Sequence, residues 1–183
     1  MFNSIRVLFI TTLFSAFTFA DVFMTELTDP QNSSDAGRYV ELYNNGDSDV
    51  DLSVGWALQR WTNGNTEPQS AEALTGTIAA GGFYIVCNNA DKYNDTYGLT
   101  CDQDFGTGDA ADSNGDDQIG LYNGDTLVDL FGNPGTDGSG EWHEFEDGRA
   151  ERAASSTTGC TSDCELSWNI DNDSGGGDGN QYA

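Results

Sequence analysis

Residues 38–58 read R-Y-V-E-L-Y-N-N-G-D-S-D-V-D-L-S-V-G-W-A-L, from Arg38 to Leu58. Val40 and Leu42 lie on one side of a period-two alternation and Tyr39, Glu41 and Tyr43 on the other, the pattern of a half-buried strand. A polar turn follows, and Gly55 and Trp56 open a second strand, Trp56 to Trp61, in which Trp56 and Leu58 share a face. Val40, Leu42, Trp56 and Leu58 are therefore expected in a core.

Outward from this stretch the same period recurs. Val22 to Leu27 reads as a first strand, followed by a loop from Asp29 to Gly37 that contains Pro30. Leu74 to Ala79 and Phe83 to Asn88 read as two more strands, separated by a turn at Ala80, Gly81 and Gly82. No long segment has helical spacing: Ser70 to Leu74 is at most a single turn, and Asp91 to Gly98 reads as a surface excursion. The stretch D-Q-I-G-L-Y-N-G-D-T-L-V-D-L-F, residues 117–131, is a hairpin. Asn123 and Gly124 both tolerate positive φ and suit a two-residue turn. That turn sets Tyr122 opposite Asp125, Leu121 opposite Thr126, Gly120 opposite Leu127 and Ile119 opposite Val128, which places Ile119, Leu121, Val128 and Leu130 on the core face. A slip of one residue would bury Asp125 and Asp129, a heavy cost for unpaired carboxylates. With 23 Gly, 3 Pro and 11% aromatic residues, the chain has the turn formers and the large apolar side chains of a loop-rich all-β domain.

The first twenty residues are a separate matter. Arg6 precedes a mostly apolar run from Val7 to Phe19, and Ala20 supplies a small residue at a cleavage position, so residues 1–20 are expected to be a secretory signal peptide. The run is short for a bilayer span, and no basic stop-transfer flank follows it. The expected location is secreted, extracellular or at the cell surface, with no membrane insertion after cleavage. The chain carries 31 acidic and 6 basic residues, a net charge of −25. Such a charge disfavours nucleic acid and anionic membranes as partners and suits solubility in a salty medium.

Four cysteines in a secreted chain imply disulfides. Pairing Cys87 with Cys101 and Cys160 with Cys164 is the simplest of the three connectivities. The first would close a loop of a size for which chain entropy gives ~3 kcal/mol. Zinc is a poor alternative, because there is no C-x-x-C pair and only one histidine.

In series, V-F-M-T-E-L, Y-V-E-L-Y-N, V-D-L-S-V-G-W-A-L, T-I-A-A-G-G-F-Y-I-V, D-D-Q-I-G-L-Y and L-V-D-L-F-G resemble the lamin tail domain family in its secreted microbial and algal type, from about Asp21 to Gly132. The resemblance implies an immunoglobulin-like β-sandwich, here with long acidic Gly/Asp-rich loops. It also implies an interaction module with no shared catalytic residues. W-H-E-F-E-D-G-R-A-E-R-A and S-W-N-I-D-N-D-S-G-G-G-D-G resemble the extensions of secreted members. Those extensions often run past this point, as expected if the stop at Ala183 marks a short or truncated member. The expected organisation is a signal peptide at 1–20, a sandwich at 21–150 and a Cys-containing acidic extension at 151–183.

Few residues look like chemistry. His143 lacks the second histidine of a metalloprotease helix and is expected to be a surface residue; Ser139, in D-G-S-G-E, lacks the strand-to-helix setting of a hydrolase nucleophile. The chain is not expected to be an enzyme. No cofactor is required, and calcium is the one ion that the acidic loops suit. Asp109, Asp112, Asn114, Asp116 and Asp117, with Asp102 and Asp104 upstream, offer hard oxygen ligands between glycines; Asp171, Asp173 and Asp178 form a second such loop. Neither loop has EF-hand spacing. Asn32, Asn94 and Asn172 begin N-x-S/T sequons and are glycosylation candidates in a eukaryotic secretory pathway. The leading expectation is a non-catalytic extracellular interaction or structural module, self-assembling into a surface layer or fibre through edge strands and exposed aromatics such as Trp61. The alternatives are a calcium-dependent module for glycan or matrix, and an accessory or weak hydrolase domain. Expected partners are an extracellular protein, a glycan or a second copy of the chain.

Overall fold

Alternating apolar side chains separated by glycine- and asparagine-rich turns can bury their apolar faces only by stacking sheets. A computed structural model shows this arrangement. It describes residues 22–30 and 37–172. The expected signal peptide, the sequon residue Asn32, and Asp173 and Asp178 lie outside the described residues.

In chain order the elements are β1 (Val22–Thr28), β2 (Tyr39–Asn44), β3 (Val50–Asp51), β4 (Trp56–Trp61), β5 (Glu72–Ala73), β6 (Thr77–Ile78) and β7 (Phe83–Cys87). They continue with α1 (Ala90–Tyr97), β8 (Gln103–Asp104), β9 (Gln118–Asn123), β10 (Thr126–Phe131), β11 (Arg149–Arg152) and β12 (Trp168–Asp171). One sheet has six strands in the order β12-β11-β1-β2-β7-β8, a second has four in the order β10-β9-β4-β5, and β3 pairs with β6 in a short ribbon. The fold is an all-β, immunoglobulin-like sandwich. Met24, Leu27, Val40, Leu42 and Val86 from the larger sheet meet Trp56, Leu58, Ile119, Leu121 and Phe131 from the smaller in one apolar cluster. Val40, Leu42, Trp56 and Leu58 are buried as expected.

The segment after Ala150 is woven into the sandwich. The boundary expected at residue 150 falls inside β11, which pairs with β1 on one side and β12 on the other. Trp168 and Cys164 belong to the core cluster. The cysteines are bonded as Cys87–Cys101 and Cys160–Cys164, with Cα separations of 5.9 and 5.7 Å.

Several expectations are corrected. Asp91 to Gly98 is no loop: Asn89 caps a helix by accepting from the Lys92 amide at 3.0 Å, and Gly98 ends it at φ 69° with its amide on the Asn94 carbonyl. The helix lays Tyr93 and Tyr97 edge-on against Tyr39 of β2. Ser70 to Leu74 forms no helical turn but contributes strand β5, and of the strand expected at Leu74 to Ala79 only Thr77–Ile78 pairs. Trp61 is buried, at 6% exposure, and is no exposed aromatic.

The hairpin differs most. Asn123 pairs with Thr126, so the turn is Gly124–Asp125 with Gly124 at φ 59°. That shift alone would leave Val128 and Leu130 on the core face. A bulge between Leu127 and Asp129 then sets Asp129 opposite Leu121 and Phe131 opposite Ile119. Leu130 therefore faces the other way, opposite Gly120, and Asp129 enters the core side at 0% exposure. Its burial is tolerated because its carboxylate pairs with Arg152 and accepts from the amides of Met24 (2.8 Å), Cys160 (2.8 Å) and Leu130 (3.1 Å).

Candidate functional site

A second bulge, between Met24 and Glu26 of β1, prepares the outer face of the six-stranded sheet. Strict alternation from Met24, which points inward, would turn Glu26 into the core. The extra residue at Thr25 re-aims Glu26 outward and returns Leu27 to the inside. Glu26 then lies directly across from Glu41 of β2 and from Glu151 of β11, so that three carboxylates form one row over three adjacent strands. The neighbouring row is aromatic: Phe23 pairs with Tyr43, and Tyr43 with Phe83 of β7. The Tyr43 ring stands 5.9 Å from Phe23, edge-on, and 4.7 Å from Phe83. Phe83 is 58% exposed.

Both rows line a pocket of about 480 Å3, walled on the far side by Ala153, Ala154, Ser156 and Thr157. The volume is in the range of small-ligand sites. Arg152 also lines it but is committed elsewhere, to Asp129 and, at 2.8 Å, to the Met24 carbonyl, with its guanidinium 4.0 Å from the Trp168 ring. Arg149 stands 3.8 Å from Glu26 and 3.7 Å from Glu151. Glu41 accepts from the Thr25 hydroxyl at 2.7 Å. Burial, followed by the nearby Glu41 charge, pushes the Glu26 carboxyl up to about 7, against the hydrogen bond from Tyr39 and the attraction of Arg149. Glu41 is also raised by burial, partly offset by Thr25. Like charges facing each other across strands destabilise a sheet, and Arg149 opposes that repulsion at Glu26 and Glu151.

The residues singled out from the sequence lie elsewhere. Asp112 is held by Arg38 at 3.0 Å and by the Asn88 amide at 2.9 Å, and its other oxygen accepts from Gly108 at 2.7 Å. Asp117 faces Arg60 at 3.3 Å and accepts from the Asn63 amide at 3.0 Å, and burial raises its pKa against the pull of Arg60. Asp116 accepts from the Asn63 side chain at 3.1 Å, Asp109 is half-buried and Asn114 is exposed. Asp102 and Asp104 accept from the amides of Ile85 (2.8 Å) and Ala90 (3.0 Å). Arginines and backbone amides thus use much of this loop's oxygen. Among the described residues, no three His, Cys, Asp or Glu side chains stand close enough to hold a metal ion.

His143 is not on the surface; it is fully buried, edge-on to Phe131 and Trp142, and burial lowers its pKa. Ser139 is exposed in a turn. Asn94 is exposed on α1, its side-chain amide donating to the Leu99 carbonyl at 2.9 Å, and Asn172 is exposed after β12. No local pattern in the sequence joins the pocket residues. Of them, only Glu41 and Tyr43, outward on β2, stand out in a local alternation. Glu26 is masked by its bulge, and Glu151 meets the others only through long-range pairing.

No helix among the described residues is long and apolar enough to cross a membrane. The disulfides fit an oxidising compartment. No curated protein matches the chain. The Lamin Tail Domain family matches residues 15–135, which take in β1 to β10: the whole four-stranded sheet, four strands of the six-stranded one and two of the pocket's three glutamates. The chain belongs to the lamin tail domain family.

Proposed function

We propose that this protein is a secreted, non-catalytic interaction module that binds an extracellular partner through the pocket on the outer face of its six-stranded sheet. The observation that carries this reading is the pairing of two adjacent rows, one aromatic and one acidic, around an open pocket of about 480 Å3. A sheet face needed only for solubility would not hold Phe83 at 58% exposure beside directly opposed glutamates. Self-assembly into a layer or fibre fits less well, because two copies at −25 each repel at moderate ionic strength. A partner of opposite or neutral charge has no such barrier.

The test is an array of extracellular matrix polypeptides and polysaccharides probed with the chain from Asp21 onward, alongside its Phe83→Ala and Glu41→Gln variants. Binding that both variants weaken supports the reading. Binding that neither affects, or no binding at all, overturns it. Release of reducing ends from an arrayed polysaccharide, lost in Glu41→Gln, would replace it with a hydrolase built on the carboxylate pair. Light scattering on the same samples covers self-assembly: growth to large species would favour the layer or fibre.

A further inference from the structure

Resting on that reading, we propose that the pocket receives a basic side chain of a partner polypeptide, arginine ahead of lysine, with its cationic head among Glu26, Glu41 and Glu151 and its stem along Tyr43 and Phe83. Charge complementarity carries the choice. Three carboxylates stand in one row across three strands, and Arg149 lies near two of them. Arg152, which also lines the pocket, is paired with Asp129 and donates to the Met24 carbonyl. A cation entering from outside relieves repulsion that the fold itself leaves in place.

The aromatic row selects the rest of the ligand. The Phe83 face is open to solvent, and the Tyr43 ring 4.7 Å away continues the surface. A guanidinium is planar, loses water more readily than an ammonium, stacks on such faces and meets a carboxylate through two parallel hydrogen bonds. Lysine supplies the charge and the stem without the fork. The acidic field of the whole chain draws basic segments toward it over a longer range.

Protons report on the site. Glu26 faces Glu41, Tyr39, Glu151 and Arg149, and its carboxyl is held up to about 7. A bound guanidinium favours the ionised form, so complex formation releases a proton and affinity rises as pH goes from 5.5 to 8.

The experiment titrates the mature chain by calorimetry with a capped Gly-Ser-rich peptide carrying two arginines, and with its lysine and citrulline counterparts, at pH 5.5 and 8. Glu41→Gln and the exposed turn variant Asp125→Asn each remove one charge. The arginine peptide is expected to bind tighter at pH 8, Glu41→Gln and Phe83→Ala to weaken it about tenfold, and Asp125→Asn to change it less than about twofold. The citrulline peptide is expected not to bind. Equal losses in Glu41→Gln and Asp125→Asn would reduce the effect to diffuse charge and overturn the inference, as would undiminished citrulline binding. Pocket-dependent capture of a neutral glycan, with no peptide binding, would overturn the basic-side-chain inference while leaving the interaction module intact. Near-ultraviolet circular dichroism on each variant confirms the fold.

Discussion

Asp129 enters the core side of the sandwich because Arg152 and three backbone amides meet it there. Burial drives its pKa up, and Arg152 and those amides oppose the rise. Removing one partner of such a pair leaves an uncompensated charge, so Arg152→Met should lower unfolding free energy by about 3 kcal/mol. Urea denaturation of Arg152→Met, Asp129→Asn and the double variant checks this. The double should recover part of the loss, because neither charge is then stranded; a double variant no better than Arg152→Met would show that the arginine acts by packing against Trp168 and Phe23. The sequence contained the rule that Asp129 obeys: buried carboxylates need partners. It did not contain the partner, which arrives from 23 residues away.

At the scale of elements, two bulges decide which side chains face where. One sets Asp129 opposite Leu121 while Val128 still packs, partly buried, against the core, and the other turns Glu26 outward into the row with Glu41 and Glu151. Period-two reading works wherever the ladder is regular, as in β2 and β4, and fails at the first inserted residue. Helix α1 escaped for a different reason. It is eight residues long and turns only a short stripe, Tyr93, Thr96 and Tyr97, toward the sheet, so no apolar period builds up; its N-cap Asn89 and C-cap Gly98 were the readable signals. The carboxylate row has its own consequence. Glu26 takes up a proton more readily in the folded state, about 7 against 4.5, so its contribution to stability is fully present below pH 4.5 and lost as pH rises through 7. Glu26→Gln should therefore stabilise the protein at pH 8 by ~1–2 kcal/mol and flatten its pH dependence between 4.5 and 7. Thermal unfolding at pH 4.5, 6 and 8 reads both effects, and an unchanged pH profile would mean that the row is too wet to couple.

Over the whole molecule the scarce positive charge is spent on pairing: Arg38, Arg60 and Arg152 are buried and Arg149 is partly exposed on the outer sheet face. Arg38, Arg60, Arg149 and Arg152 each face carboxylates, at Asp29 and Asp112, Asp117, Glu26 and Glu151, and Asp129 respectively. The exterior is left strongly anionic. Asp29, raised to about 6 by burial against the pull of Arg38, adds to Glu26 in making the folded state the better proton acceptor below neutrality. His143 works in the opposite direction, since the unfolded chain protonates it first near 6.5. The carboxyls outnumber it, so the melting temperature should rise as pH falls from 8 to about 5, aided by reduced self-repulsion. Sodium chloride should raise it at pH 8, and calcium at equal ionic strength should do no more than sodium if the acidic loop holds no ion. An excess effect of calcium, abolished in Asp109→Asn or Asp116→Asn, would restore the loop as a calcium site. By itself the sequence determined the all-β class and the core residues Val40, Leu42, Trp56 and Leu58, through periodicity along the chain. It offered the local cysteine pairs as the simplest of three connectivities, and the sandwich as what the resemblance to the family implied. Only the tertiary structure decided the buried Asp129–Arg152 pair, the engagement of Asp112 and Asp117 by arginines, and the acid-rimmed aromatic pocket. These arise where inserted residues reset the register and where strands distant in sequence lie side by side, and neither is written into any local stretch of the chain.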